Sequence, residues 1–304
     1  AGWRGSEAAS RSPGPDASPT SSFPNSLPMS LHTLPDAERT KRLTTAELRD
    51  RFLVQDLFQD GQVTFRFVDL DRVVLGGAVP TDGPLDLGVP EELAAGSFTE
   101  RREVGILNIG GAGTVMVGEE TYALGNRDLL YVGRVSEAVS FASDDAETPA
   151  RYYLVSYPCH AEHPTTLIRK AEAELEELGS QAKANRRDLF KYVRPGGVES
   201  GQLVMGITEI RDGSVWNTMP AHTHARRTEV YLYFDVDPED VVFHMMGEPQ
   251  EVRTLLTRDG EAVLSPGWSI HAGAGTGAYT FCWAMGGENQ DFGDMQFVAM
   301  PDLR

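Results

Sequence analysis

From about residue 62 the chain runs in short apolar stretches broken by Gly, Pro and Asp. Val63–Val68, Arg72–Leu75, Val104–Ile109, Thr114–Val117, Leu129–Val132, Ala138–Phe141 and Tyr152–Val155 are rich in β-branched and aromatic residues. Such spacing predicts an all-β sandwich or barrel. A polar, helix-compatible stretch, Arg169–Arg187, follows. A second β-rich block then begins, with Gly201–Ile210, Glu229–Phe234, Val241–Met246, Glu251–Leu256, Ala262–Leu264 and Tyr279–Met285. Two blocks of similar size predict two barrels in tandem, although no strong internal repeat is visible. Residues 36–52 read as one short helix. Residues 1–35, rich in Pro, Ser, Gly and Ala, bury little and are expected to be a disordered extension, with Met29 a candidate natural start. The expected organisation is a disordered extension at 1–35, a first barrel at 36–165, a linker at 166–200 and a second barrel at 201–304.

Composition narrows the function classes. With 27 basic and 45 acidic residues the formal charge is −18. A surface that acidic repels nucleic acid and anionic membrane, so neither is expected as a partner. An anionic small molecule remains open, because a local arginine cluster overrides the mean field. No apolar run approaches the ~20 residues that span a bilayer, and no apolar core of a signal peptide precedes the first barrel. Cys159 and Cys282 are far apart and form no CxxC pair, which excludes a disulfide framework and fits a cytoplasmic location. The glycines of Asn108–Gly113 could suggest a dinucleotide loop. The residues after them read as strand, turn, strand rather than helix, so a turn between strands is the better account.

Candidate chemistry sits in the second block. His222 and His224 stand two apart in PAHTHARRTEVYLYF. In a strand, both imidazoles point to one face; on a helix they would diverge by about 200 degrees. Glu229 joins them only if Ala225–Thr228 bends or bulges, since strict alternation puts it on the opposite face. Downstream, Val230, Leu232 and Phe234 alternate with Tyr231 and Tyr233, as in a half-buried strand. His271, in SPGWSIHAGAG, supplies a third imidazole after a Pro-Gly turn. Three nitrogens and one carboxylate suit one divalent Zn, Mn, Fe, Ni or Cu ion rather than Ca or Mg. His32, His160 and His163 carry no such pattern, and His244, in VVFHMMG, is a candidate to line the cavity.

The spacing HxHx₄E followed by PxxxxH resembles the two metal motifs of the cupins. The longer strings at 216–234, 242–253 and 265–292, with 71–80, 100–133 and 185–193 in the first half, resemble the 4-deoxy-L-threo-5-hexosulose-uronate ketol-isomerases, also called 5-dehydro-4-deoxy-D-glucuronate isomerases. The resemblance covers roughly residues 40–304; residues 166–183 depart from it. It implies two cupin barrels, Zn(2+) held by His222, His224, Glu229 and His271 in the second, a first barrel without metal, and a hexamer. The implied substrate is a small anionic keto-uronate from pectin or glycosaminoglycan breakdown. The implied reaction moves its carbonyl from C1 to C2 through a cis-enediol, giving 3-deoxy-D-glycero-2,5-hexodiulosonate.

That chemistry needs a base near the carbon acid and a donor for the developing oxyanion. Glu288, in GGENQDF, is the candidate base, with Asp291 and Asp294 weaker choices; Tyr231 and Tyr233 are candidate donors, though on an alternating strand they could equally face solvent. A substrate carboxylate calls for a guanidinium, and Arg186, Arg187, Arg226 and Arg227 are the candidates, with Lys191 beside them. The ligand set leaves other readings open: an Fe(II) cupin dioxygenase, a 5-deoxyglucuronate isomerase, or a non-catalytic sugar-acid-binding cupin.

Overall fold

A computed structural model describes residues 30–288 and 293–304. The part of the N-terminal extension before residue 30, and Asp291, lie outside the described residues. The β-branched and aromatic runs form strands in two sandwiches. In the first, a seven-stranded sheet runs Ser30–His32, Val63–Val68, Val74–Ala78, Tyr152–Pro158, Arg102–Asn108, Leu129–Val132, Thr166–Ile168. It faces a four-stranded sheet of Leu85–Asp86, Val139–Ser143, Gly113–Val117 and Glu120–Leu124. The second sandwich sets Glu174–Leu178, Arg187–Val193, Val204–Ile210, Thr280–Gly287, Arg227–Phe234, Glu261–Ser265 and Leu53–Val54 against Trp216–Asn217, Ala272–Gly275, Val242–Met246 and Arg253–Thr257. Apart from the outermost strands, the strand order of one half repeats in the other, so the duplication is visible in topology. The glycines at 110–111 lie in a turn between strands, with no helix after them.

The two large sheets pack against each other. Leu75, Tyr153 and Val155 of the first meet Ile207, Val230, Leu232 and Cys282 of the second in one core. Opposite faces of the same strands fill their own barrels. Tyr231 and Tyr233 point inward with Val263, Phe281 and Trp283. All eight residues of Arg227–Phe234 are therefore buried, where alternation alone suggested a half-buried strand. Glu103 ties the halves together. Its carboxylate is fully buried and accepts from the backbone N–H groups of Gly201, Gln202 and Leu203 at 2.6–2.8 Å, and from the Tyr131 hydroxyl at 2.7 Å.

Three expectations need revision. The helix-compatible stretch Arg169–Arg187 carries strand Glu174–Leu178, paired antiparallel with Arg187–Val193, besides two single 3₁₀ turns. Its charged alternation suits an edge strand, and Lys191 reaches Glu174 and Glu176 across the pair at 3.1 and 2.9 Å. Residues 166–200 thus contribute strands to both large sheets instead of forming a linker. Residues 36–52 form two helices, Ala37–Thr40 and Thr45–Phe52, the second opened by a capping box of Thr44 and Glu47. Leu48, Phe52 and the following Leu53 pack into the second sandwich, not the first, and Leu53–Val54 pairs with Val263 and Ala262. Finally, Ser30–His32, inside the stretch expected to be disordered, pairs in parallel with Arg66–Val68.

Candidate metal centre

His222 lies on the two-residue strand His222–Thr223, which pairs with Gln296–Phe297. A turn at Ala225–Arg226 follows, and strand Arg227–Phe234 begins at once. That turn supplies the parity reset that Glu229 requires. The chain reaches His271 through a tight turn closed by Ser269 N–H to Pro266 O at 2.8 Å. Strand Ala272–Gly275 starts at the next residue.

All four side chains are buried, and one ligand atom from each falls within 4.8 Å of the others. His271 Nε2 stands 3.0 Å from both His222 Nε2 and Glu229 Oε2, and His224 Nδ1 stands 3.7 Å from Glu229 Oε2. On its far side, His271 Nδ1 meets Ser265 Oγ at 3.2 Å, an outer contact of the kind that fixes the ring of a ligating histidine. Burial, then the neighbouring His271, pushes His222 and His224 down to about 2, so both stay neutral and able to coordinate. Burial, the largest single influence, would raise Glu229; His271, His222 and Arg227 together hold the carboxyl below its usual range.

These residues fit a bound cation. Four buried donor atoms from separate segments converge within 4.8 Å of one another, so one cation between them could be held by all four. Three imidazoles and one carboxylate match Zn, Mn or Fe rather than an all-oxygen ion.

The cluster opens onto a cavity of about 330 Å³ with walls of Leu178, Leu189, Met219, Phe281, Trp283 and Phe297. Each arginine pair straddles the start of a strand. Arg187 and Arg227 line the cavity, whereas Arg186 and Arg226 are exposed and do not. Arg227 is already committed: its Nη2 lies 2.5 Å from Asp294 Oδ1, with both side chains buried. Arg187 donates to Asn185 O at 2.8 Å and, among the described residues, pairs with no carboxylate at ion-pair distance. Burial pulls its pKa down, as a guanidinium in an apolar wall should show.

Tyr231 lines the cavity, and its hydroxyl lies 3.2 Å from Thr218 Oγ1. Tyr233 is buried behind it and bonds His244 Nδ1 at 2.7 Å, so neither tyrosine faces solvent. His244 is fully buried beneath the site and does not line the cavity. Glu288 is exposed and stands outside the cavity wall. Strand Thr280–Gly287 ends at Gly287 with φ +147°, where a Cβ would meet Arg226 O at 2.5 Å, and the chain leaves the barrel there. Among the described residues, the carboxylate that lines the cavity besides Glu229 is Glu176. It was missed because its strand read as helix. Taken as a strand, ELEEL places Glu174, Glu176 and Leu178 on one face.

Fold and site together define a double-barrel cupin protein with a histidine–carboxylate centre in its second barrel. The chain belongs to the KduI/IolB family, whose model matches residues 57–302. It is 53% identical over 270 residues to a 4-deoxy-L-threo-5-hexosulose-uronate ketol-isomerase of Kineococcus radiotolerans, covering 88% of this chain and 97% of that one. It is 51% identical over 278 residues to the protein of the same name from Opitutus terrae, covering 91% and 100%. Among solved structures, an IolB-like protein from Salmonella typhimurium superposes with a TM-score of 0.64 at 16% identity, over 81% of this chain and 96% of that one. The last comparison speaks to fold alone.

Proposed function

We propose that this protein is a metal-dependent ketol-isomerase that converts 5-dehydro-4-deoxy-D-glucuronate to 3-deoxy-D-glycero-2,5-hexodiulosonate. The observation that carries the reading is the buried cluster of His222, His224, Glu229 and His271 opening onto a cavity with Arg187 in its wall. The names of relatives about half identical over nearly their whole length support the substrate and the reaction.

A divalent ion, for which we favour zinc, would act there as Lewis acid and template for a carbonyl and its neighbouring hydroxyl. The chain's own residues do the rest. Arg187 takes the substrate carboxylate, because it is the cavity arginine with no described carboxylate at ion-pair distance. The Tyr231 hydroxyl donates to the oxygen on which charge develops. Glu176, half-exposed at the cavity and held by Lys191, is the carboxylate placed to take the proton from C2, in place of Glu288. The apolar walls exclude water and strengthen these contacts.

The test is metal analysis of the purified protein together with NMR of the keto-uronate before and after chelation. One equivalent of zinc with chelator-sensitive conversion is the expected result. A bound metal without conversion sinks the isomerase reading and leaves the metal centre standing; oxygen uptake with iron restored is then the next measurement.

A further inference from the structure

Away from the cavity, the Tyr231 ring is packed against other rings. It stacks on Phe281 with centroids 5.0 Å apart at 15°, meets His244 edge-on at 5.4 Å and 70°, and lies 5.5 Å from the ligand His271. A ring packed this closely keeps its place. The freedom left to it is rotation of the hydroxyl hydrogen, and Thr218 lies within hydrogen-bond distance of that hydroxyl. The 3.2 Å contact between Thr218 Oγ1 and Tyr231 Oη is the hydrogen bond each hydroxyl makes among the described residues.

Thr218 is in an unusual conformation. Its φ is +47°, in the left-handed region that β-branched residues avoid. The surroundings hold it there. Asn217 is fully buried and donates from Nδ2 to the Tyr279 hydroxyl at 2.7 Å; that hydroxyl donates in turn to Val215 O at 3.1 Å. Strand Trp216–Asn217 is also paired with Gly273 and Ala274. Glycine or asparagine would satisfy this backbone with less strain. Threonine at such a position, with its hydroxyl on a cavity tyrosine, points to a task for the side chain.

We propose that Thr218 is a positioning residue: its hydroxyl donates to Tyr231 Oη and so turns the Tyr231 hydroxyl hydrogen into the cavity, toward the carbonyl oxygen of a bound substrate. This deepens the isomerase reading and rests on it. Tyr231 keeps its proton and acts as a preorganised donor. Its hydrogen bond strengthens as the carbonyl oxygen gains charge, which favours the transition state over the bound substrate.

Four zinc-loaded, full-length variants test the proposal: Thr218→Val, Thr218→Ser, Tyr231→Phe and the double change Thr218→Val with Tyr231→Phe. Valine keeps the shape and the backbone strain but lacks the hydroxyl. Thr218→Val should lower kcat about 10- to 100-fold with KM within about twofold, and Thr218→Ser should restore most of it. The double variant should be no slower than Tyr231→Phe alone, because Thr218 acts through that hydroxyl. A Thr218→Val enzyme with wild-type kcat, or losses that multiply in the double variant, would overturn the proposal.

A second readout needs no turnover. The ultraviolet Raman Fermi doublet of Tyr231, isolated as wild type minus Tyr231→Phe, reports whether its oxygen accepts a hydrogen bond. Acceptor character lost in Thr218→Val is expected; donor character toward Thr218 in wild type refutes the arrangement. Wild-type protein that fails to convert the keto-uronate refutes the isomerase reading instead, and the doublet still decides the direction of this bond.

Discussion

Arg186 and Arg187 are adjacent in the chain, yet Arg186, just before strand Arg187–Val193, is exposed while Arg187, its first residue, lines the cavity wall. The same holds for Arg226 and Arg227. Sequence could nominate the pairs but not choose within them, because the choice depends on where each strand starts and which way its first residue faces. The metal cluster was far more legible. HxH needs only strand parity to bring two imidazoles together, and a turn at Ala225–Arg226 recovers the third ligand. Asp294 then separates the two cavity arginines, since it engages Arg227. Replacing Arg187 with alanine should raise KM for the keto-uronate about 100-fold or more, in line with the loss of a charge-assisted pair. Arg186→Ala should leave KM within about twofold. Steady-state kinetics on the two variants decides it; equal effects would return the carboxylate to another group.

At the scale of elements, the strands of the shared core were readable because their β-branched and aromatic runs outweigh other signals. Edge elements were not. Glu174–Leu178 carries three glutamates, good helix formers, and only pairing with Arg187–Val193 makes it a strand. That misreading hid Glu176 and left Glu288 as the apparent base. The two predict different kinetics. Glu176→Gln should lower kcat about 100-fold or more with zinc content unchanged, while Glu288→Gln, at an exposed position beyond the strand end, should stay within about twofold. The reverse pattern would place the proton transfer on the segment after Gly287.

Across the whole molecule, the two barrels are joined by more than their apolar faces. The Glu103 carboxylate collects three backbone N–H groups from Gly201–Leu203. Glu103→Ala should cost about 2–4 kcal/mol, since it strands the buried Leu203 N–H and Tyr131 hydroxyl and removes two part-buried contacts, and chemical denaturation of the zinc-loaded protein measures it. Loss of under about 1 kcal/mol would show that water replaces the carboxylate. Pattern alone did reveal two barrels; their boundary it could not, because no local signal tells residues 37–54 that they pack on the second barrel.

That crossing has a consequence for biogenesis. Leu53 and Val54 leave the ribosome early, but their partners Val263 and Ala262 emerge some two hundred residues later. The half with the candidate metal centre therefore completes its sheet only near the end of synthesis, through a contact of high sequence separation that slows folding. A gene shortened to begin at the second barrel would encode the ligands yet omit the strand that closes their sheet.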